Sequence, residues 1–299
     1  RATTTPVDAW MGDAIEPLPD LAALAGKRDG LLDRITRTLE VDARVAAVWL
    51  SGSFGRGEDD AWSDLDLHVA VQDEHLDTFL TERPALYALV GRPVLIQGEM
   101  PSDAMIGARF QLVLYAGPVE VDWNIGPLSQ AERPPASRLL FDHAGIPMIR
   151  PPSLTPEERR ARATERLTFF WAMAPIAVKF AGRGEARRIG RQIELMTNAY
   201  ISLWRLLHQP DGPEPYLPYL NRPLEPELDT HLPMLGERID SLEALSVIRT
   251  LCAAAERLHP ALATLGVPIP DDVPGEVSNL ATLAEIVAQR GDRPRRKFR

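Results

Sequence analysis

The stretch that constrains this chain most runs from Ala46 to Val71, AAVWLSGSFGRGEDDAWSDLDLHVAV. The apolar run Ala46 to Leu50 reads as a buried strand and Gly52-Ser53 turns it. Ten residues further on, Asp64-Leu65-Asp66-Leu67 opens a second, alternating strand. Residues i and i+2 of a strand point the same way, so Asp64 and Asp66 project together while Leu65 and Leu67 enter the core. Two neighbouring carboxylates stay ionised cheaply only with a cation between them, and hard oxygen donors suit Mg²⁺. Gly52 lets a backbone approach closely, and Ser53 with the amides after it can hold phosphate oxygens at the start of a short helix. The bland alternative is a surface turn followed by a hairpin strand with solvent-facing aspartates.

The rest of the chain is read around that stretch. Leu21, Leu24, Leu31, Leu32, Ile35 and Leu39 form a helical stripe within residues 17–40, and residues 73–90 predict another helix with Asp73 as its cap. Pro93–Gln97 predicts a third strand; Arg109–Tyr115 and Val119–Ile125 predict two more, joined at Ala116-Gly117-Pro118 as a hairpin. In the second of these, Val119-Glu120-Val121-Asp122-Trp123 alternates, so Glu120 and Asp122 share a face. After a Pro-rich join at 128–153 the texture changes. Thr155-Pro156-Glu157-Glu158 is a capping box with proline at the first helical position, and helical patterns continue to about residue 290. Asp240-Ser241-Leu242-Glu243 starts another helix in the same way. The Pro-rich segment 209–226 is long for a loop in a compact domain.

The expected architecture is therefore an α/β N-terminal domain, a mixed sheet flanked by helices, over residues 1–148, followed by an all-α helical bundle over 149–299 that ends in a basic tail, RPRRKFR. Lys179, Arg183, Arg187 and Arg191 recur every four residues and would share one helical face if Gly182 and Gly184 leave the helix unbroken. Trp171, Tyr200 and Trp204, at helical spacing, read as core. The single cysteine, Cys252, excludes an internal disulfide and a cysteine-based zinc site. No apolar run is long enough to span a membrane, and the N-terminus lacks a charged-then-apolar signal layout, so a cytoplasmic protein is expected.

Charge separates the halves. Up to residue 150 there are 13 Lys and Arg against 23 Asp and Glu, a balance of −10; the remainder holds 20 against 19, a balance of +1. The acidic half carries the motif. That disfavours a nucleic-acid partner, which would want a basic stripe, and is compatible with a cationic small molecule; the alternative is an acidic surface that only keeps the chain in solution.

Gly52-Ser53, a spacer carrying Arg56-Gly57, and Ser63-Asp64-Leu65-Asp66-Leu67 together resemble the signature of the DNA polymerase β-type nucleotidyltransferase superfamily. Within it the pattern is most similar to the branch that adenylylates antibiotics such as aminoglycosides and lincosamides. The resemblance implies a fold with a nucleotidyltransferase domain ahead of a helical bundle, and a catalytic set of Asp64, Asp66 and Asp122; Glu120, on the Asp122 face, is a candidate catalytic base or an ordinary solvent-facing acid. Val121-Asp122-Trp123 matches the apolar-Asp-apolar setting of the family's third carboxylate, so Asp64, Asp66 and Asp122 are the implied metal ligands. Leu139–Gly145 resembles the strand and turn that close the family's catalytic domain. Gly52, Ser53, Arg56 and Lys179 are the implied nucleotide-binding residues. The implied reaction transfers a nucleoside monophosphate, AMP from ATP or its equivalent from another nucleoside triphosphate, to a hydroxyl of a small acceptor. Mg²⁺, one ion or two, is the implied cofactor. Nucleotidylation of a protein or RNA, and a non-catalytic nucleotide-binding module, are the alternatives. Whether the chain is a monomer or a homodimer is left open.

Overall fold

Six consecutive apolar residues, Val45–Leu50, make strand β1, buried along its whole length. In the computed structural model, which describes residues 20–102, 105–149, 153–209, 224–230, 232–233 and 240–290, this strand lies inside a seven-stranded mixed sheet. The N-terminal residues before 20, most of the loop at 209–226 and the basic tail lie outside the described residues. The chain divides into two compact units, Arg1–Pro151 and Pro152–Arg299.

The first unit begins with helix α1, Leu21–Glu40, which Asp20 caps by accepting the amide of Ala23 at 2.8 Å. After β1 come the short helix α2, Gly52–Arg56, strand β2, Leu65–Val71, and helix α3, Leu76–Val90. The remaining strands are β3, Pro93–Ile96, β4, Met100–Pro101, β5, Arg109–Tyr115, β6, Val119–Pro127, and β7, Arg138–Asp142. Their order is β3-β5-β6-β2-β1-β7, with β4 also on β5; every pairing is antiparallel except β2 with β6. Asp142 ends β7 and accepts the amides of Ala144, Gly145 and Ile146 at 2.7 to 3.0 Å, which closes the turn.

The alternation of β2 and β6 sorts side chains onto two faces. Leu65, Leu67, Val69 and Val71 of β2 and Val121, Trp123 and Ile125 of β6 pack with Leu31, Ile35, Leu39, Phe79 and Tyr87 of α1 and α3 in one core. The opposite face carries a smaller cluster around Ala47, Trp49, Ala70, Met105 and Ala108. The polar residues of both strands sit on this second, less covered face.

In the second unit Thr155 and Glu158 form the reciprocal capping box that opens α4, Pro156–Gly182. Helices α5, Ala186–His208, α6, Pro226–Asp229, α7, Ser241–Thr264, and α8, Val273–Arg290, follow. Asp240 caps α7 by accepting the Glu243 amide at 2.8 Å. Trp171, Tyr200, Trp204 and Cys252 belong to the core of this unit. Arg205, fully buried on α5, holds Glu225 with Nε at 3.1 and 3.2 Å from the two carboxylate oxygens. Among the described residues no helix is long and apolar enough to cross a membrane.

Two expectations are corrected. Asp73 does not cap α3: residues Asp73–His75 form a separate 3-10 turn, and the Asp73 side chain accepts the Ser129 amide at 2.9 Å instead. The basic stripe does not form one face either. Helix α4 stops at Gly182, Gly184 takes φ +68°, and α5 starts at Ala186, so Lys179 and Arg187 belong to different helices. A left-handed glycine between two helical patterns is invisible to a count of every fourth residue.

Candidate active site

The parallel register of β2 and β6 sets Asp66 opposite Asp122, with Leu65 opposite Val121 and Leu67 opposite Trp123. Adjacent strands lie about 4.8 Å apart, so the two carboxyl groups leave neighbouring backbone positions on the same face. Asp64 precedes the first residue of β2 and is exposed; Glu120 stands two residues before Asp122, on its face and half-buried. Burial, then the charges of Asp64 and Glu120, push the Asp66 carboxyl up to about 6 against an opposing pull from Arg56. Burial, then the charges of Asp66, Glu120 and Asp64, push Asp122 up to about 7. The four acids thus form one repelling group, and one oxygen of Asp122, Oδ1, is buried with no hydrogen-bond partner.

The end of β1 comes up against this group. The Ser51 amide donates to the Asp66 carbonyl at 2.9 Å. Gly52 has φ +58°, and a Cβ there would stand 1.8 Å from Asp66 Oδ2, so no other residue fits without displacing the carboxylate. The Ser53 hydroxyl is buried without a partner at the first turn of α2. Arg56, at the end of α2, pairs through Nε with Glu58 at 2.7 Å. The first unit therefore brings Gly52, Ser53 and Arg56 to the neighbourhood of Asp64, Asp66, Glu120 and Asp122. Lys179 belongs to the second unit, exposed in the last turn of α4.

Three features of this site lack a signature in the sequence: the His68 ring, its stacking on Trp49, and the Arg28 brace. His68, two residues beyond Asp66 on the same face, stacks on Trp49 with ring centroids 5.1 Å apart and an angle of 6° between planes. Its Nε2 is 2.8 Å from Ser51 Oγ, and burial lowers its pKa to about 4, so the ring is neutral at pH 7. The alternation of β2 was the available signal for its direction. Arg28, on α1 and only 6% exposed, donates through Nη1 to the carbonyls of Asp60 and of Ser63, the latter at 3.2 Å, and lies 4.8 Å over the Phe54 ring. It braces the loop that leads into Asp64. Nothing in the helical stripe of α1 marks it out.

A divalent cation is what the donor set fits. Among the described residues no three His, Cys, Asp or Glu side chains are grouped closely enough to cage a metal. Mg²⁺, however, is commonly held by one or two carboxylates, with substrate phosphates and water supplying the rest. The facing pair Asp66 and Asp122, with its buried unpartnered oxygen and mutual repulsion, meets that requirement.

No family model matches the chain, and no curated protein matches it. Among solved structures it is similar to an aminoglycoside 6-adenyltransferase from Bacillus subtilis, at 14% identity over 90% of this chain and 99% of that one, with a TM-score of 0.34. Figures this low assign neither a fold nor an activity to this chain.

Proposed function

We propose that the protein is a nucleotidyltransferase that moves a nucleoside monophosphate, AMP from ATP, onto a hydroxyl of a small cationic acceptor and releases pyrophosphate. The observation that carries this reading is the facing pair Asp66 and Asp122 beside a glycine turn that admits no Cβ. Asp64, Asp66 and Asp122 would hold Mg²⁺, which supplies charge neutralisation and alignment of the phosphates when bound. Gly52, Ser53 and Arg56 are the residues assigned to the phosphates.

The acceptor oxygen bonds to the α-phosphorus in line as the bond from that phosphorus to the pyrophosphate oxygen breaks. The hydroxyl proton passes to a carboxylate within about 3 Å, for which Glu120 and Asp122 are the candidates. This chain supplies position and charge rather than a covalent intermediate. An acidic first unit supports an amine-bearing acceptor over a polyanion such as RNA.

The test is pyrophosphate release from ATP and Mg²⁺ across a panel of amino sugars and amino cyclitols, with products confirmed by mass. Asp66→Asn and Asp122→Asn should each lower turnover by about a hundredfold or more, in line with loss of charge stabilisation at a reacting centre, with circular dichroism unchanged. Wild-type turnover by Asp66→Asn with a confirmed acceptor would overturn the assignment.

A further inference from the structure

We propose that Trp62 is the surface on which the acceptor's ammonium group rests, and so a specificity-determining residue of this site; that it serves adenylylation rests on the proposed transferase function. Trp49, Trp123, Trp171 and Trp204 are at most 4% exposed, whereas Trp62 is 72% exposed. An aromatic ring left in water forgoes one of the larger burial gains a side chain can make. Among the described residues the Trp62 ring has no hydrogen-bond, ring-stacking or cation partner.

The backbone that carries this ring is nonetheless held on both sides. The Trp62 amide donates to Asp60 Oδ1 at 2.9 Å, and the buried Arg28 guanidinium holds the carbonyls of Asp60 and Ser63. The ring is thereby presented two residues ahead of Asp64 instead of wandering with a free loop. Its neighbourhood selects the charge of its ligand. From Gly57 to Asp64 the chain carries Glu58, which pairs with Arg56, and Asp59, Asp60 and Asp64, all exposed, and no Lys or Arg. The face of an indole attracts cations within about 6 Å of its centre, more strongly than Phe or Tyr does. Ring and acids therefore favour the same ligand, an ammonium.

The experiment is a fluorescence titration without nucleotide or metal. The emission of Trp62 is isolated as the difference between the wild type and Trp62→Phe, which cancels the other tryptophans. The probes are 2-deoxystreptamine, a diamino cyclitol, and its neutral counterpart myo-inositol. We expect 2-deoxystreptamine to change the difference signal, myo-inositol to leave it unchanged, and added salt to weaken the response. Calorimetry should show Trp62→Ala binding 2-deoxystreptamine about 2- to 30-fold more weakly, and Trp62→Phe falling between it and the wild type. No response to 2-deoxystreptamine, or an equal response to myo-inositol, would overturn the proposal. Because no turnover is read, failure of the transferase assay with this response intact would remove the proposed reaction and leave the cation surface standing. An acceptor KM unaffected by Trp62→Ala in an active transferase would do the reverse.

Discussion

Replacing Asp122 with Asn should stabilise the first unit at alkaline pH while lowering its proposed turnover by about a hundredfold or more. The folded protein raises the Asp122 pKa from 3.8 to about 7, through burial and then the charges of Asp66, Glu120 and Asp64. A group whose folded pKa lies above its unfolded value favours folding while it is protonated, and that contribution is lost as pH rises through about 4 to 7. Three units correspond to at most about 4 kcal/mol at pH 8. Asp122 is only half-buried, and solvent screening brings the expected figure to about 1–2 kcal/mol. At roughly 2–4 °C per kcal/mol for a unit of this size, Asp122→Asn should melt about 2–8 °C higher than the wild type at pH 8. The gap should close towards pH 4. His68 acts in the opposite direction between pH 6.5 and 4, because burial keeps it neutral in the fold; comparing the two proteins at each pH cancels it. Mg²⁺ at tenfold its dissociation constant should raise the wild type by about 1.4 kcal/mol and the variant by much less. Melting followed by circular dichroism from pH 5 to 8, with and without Mg²⁺, reads all of this. A variant that melts at or below the wild type at pH 8 would refute the reasoning, since the carboxylates would then be compensated within the fold.

Gly52→Ala should cost about 2 kcal/mol or more in urea unfolding, because φ +58° disfavours a side chain and the new Cβ would collide with Asp66 Oδ2. Arg28→Gln should lose about 2–3 kcal/mol and speed proteolytic cleavage within 57–63, since the carbonyls of Asp60 and Ser63 lose their buried donor. Thr155→Ala should lower the stability of the second unit by about 1 kcal/mol in thermal melting and leave any nucleotide binding of the first unit untouched, as it removes a helix cap alone.

What could be read from the sequence was local. The strand–turn–strand of residues 45–71 announces itself because burial, glycine and period-two alternation all fall within one short stretch, and β5 with β6 because Gly117 joins two alternating runs. The central feature of the site is of another kind. Asp66 and Asp122 are far apart in the chain, and their meeting depends on a parallel pairing whose register is set by how Leu65, Leu67, Val121 and Trp123 share a core with α1 and α3. A shift of one residue would turn Asp122 into that core, where an unpaired carboxylate is far more costly than it is on the present face. The aspartate therefore constrains the register that positions it, but nothing local to either strand could show which partner it would meet. Arg28 and His68 escaped for the same reason: each is an ordinary polar residue in its own element and acquires a role only through a distant contact, with the 57–63 loop in one case and with Trp49 and Ser51 in the other. The basic series from Lys179 to Arg191 failed in the opposite direction, since its regular spacing is local, and one left-handed glycine was enough to divide it between two helices.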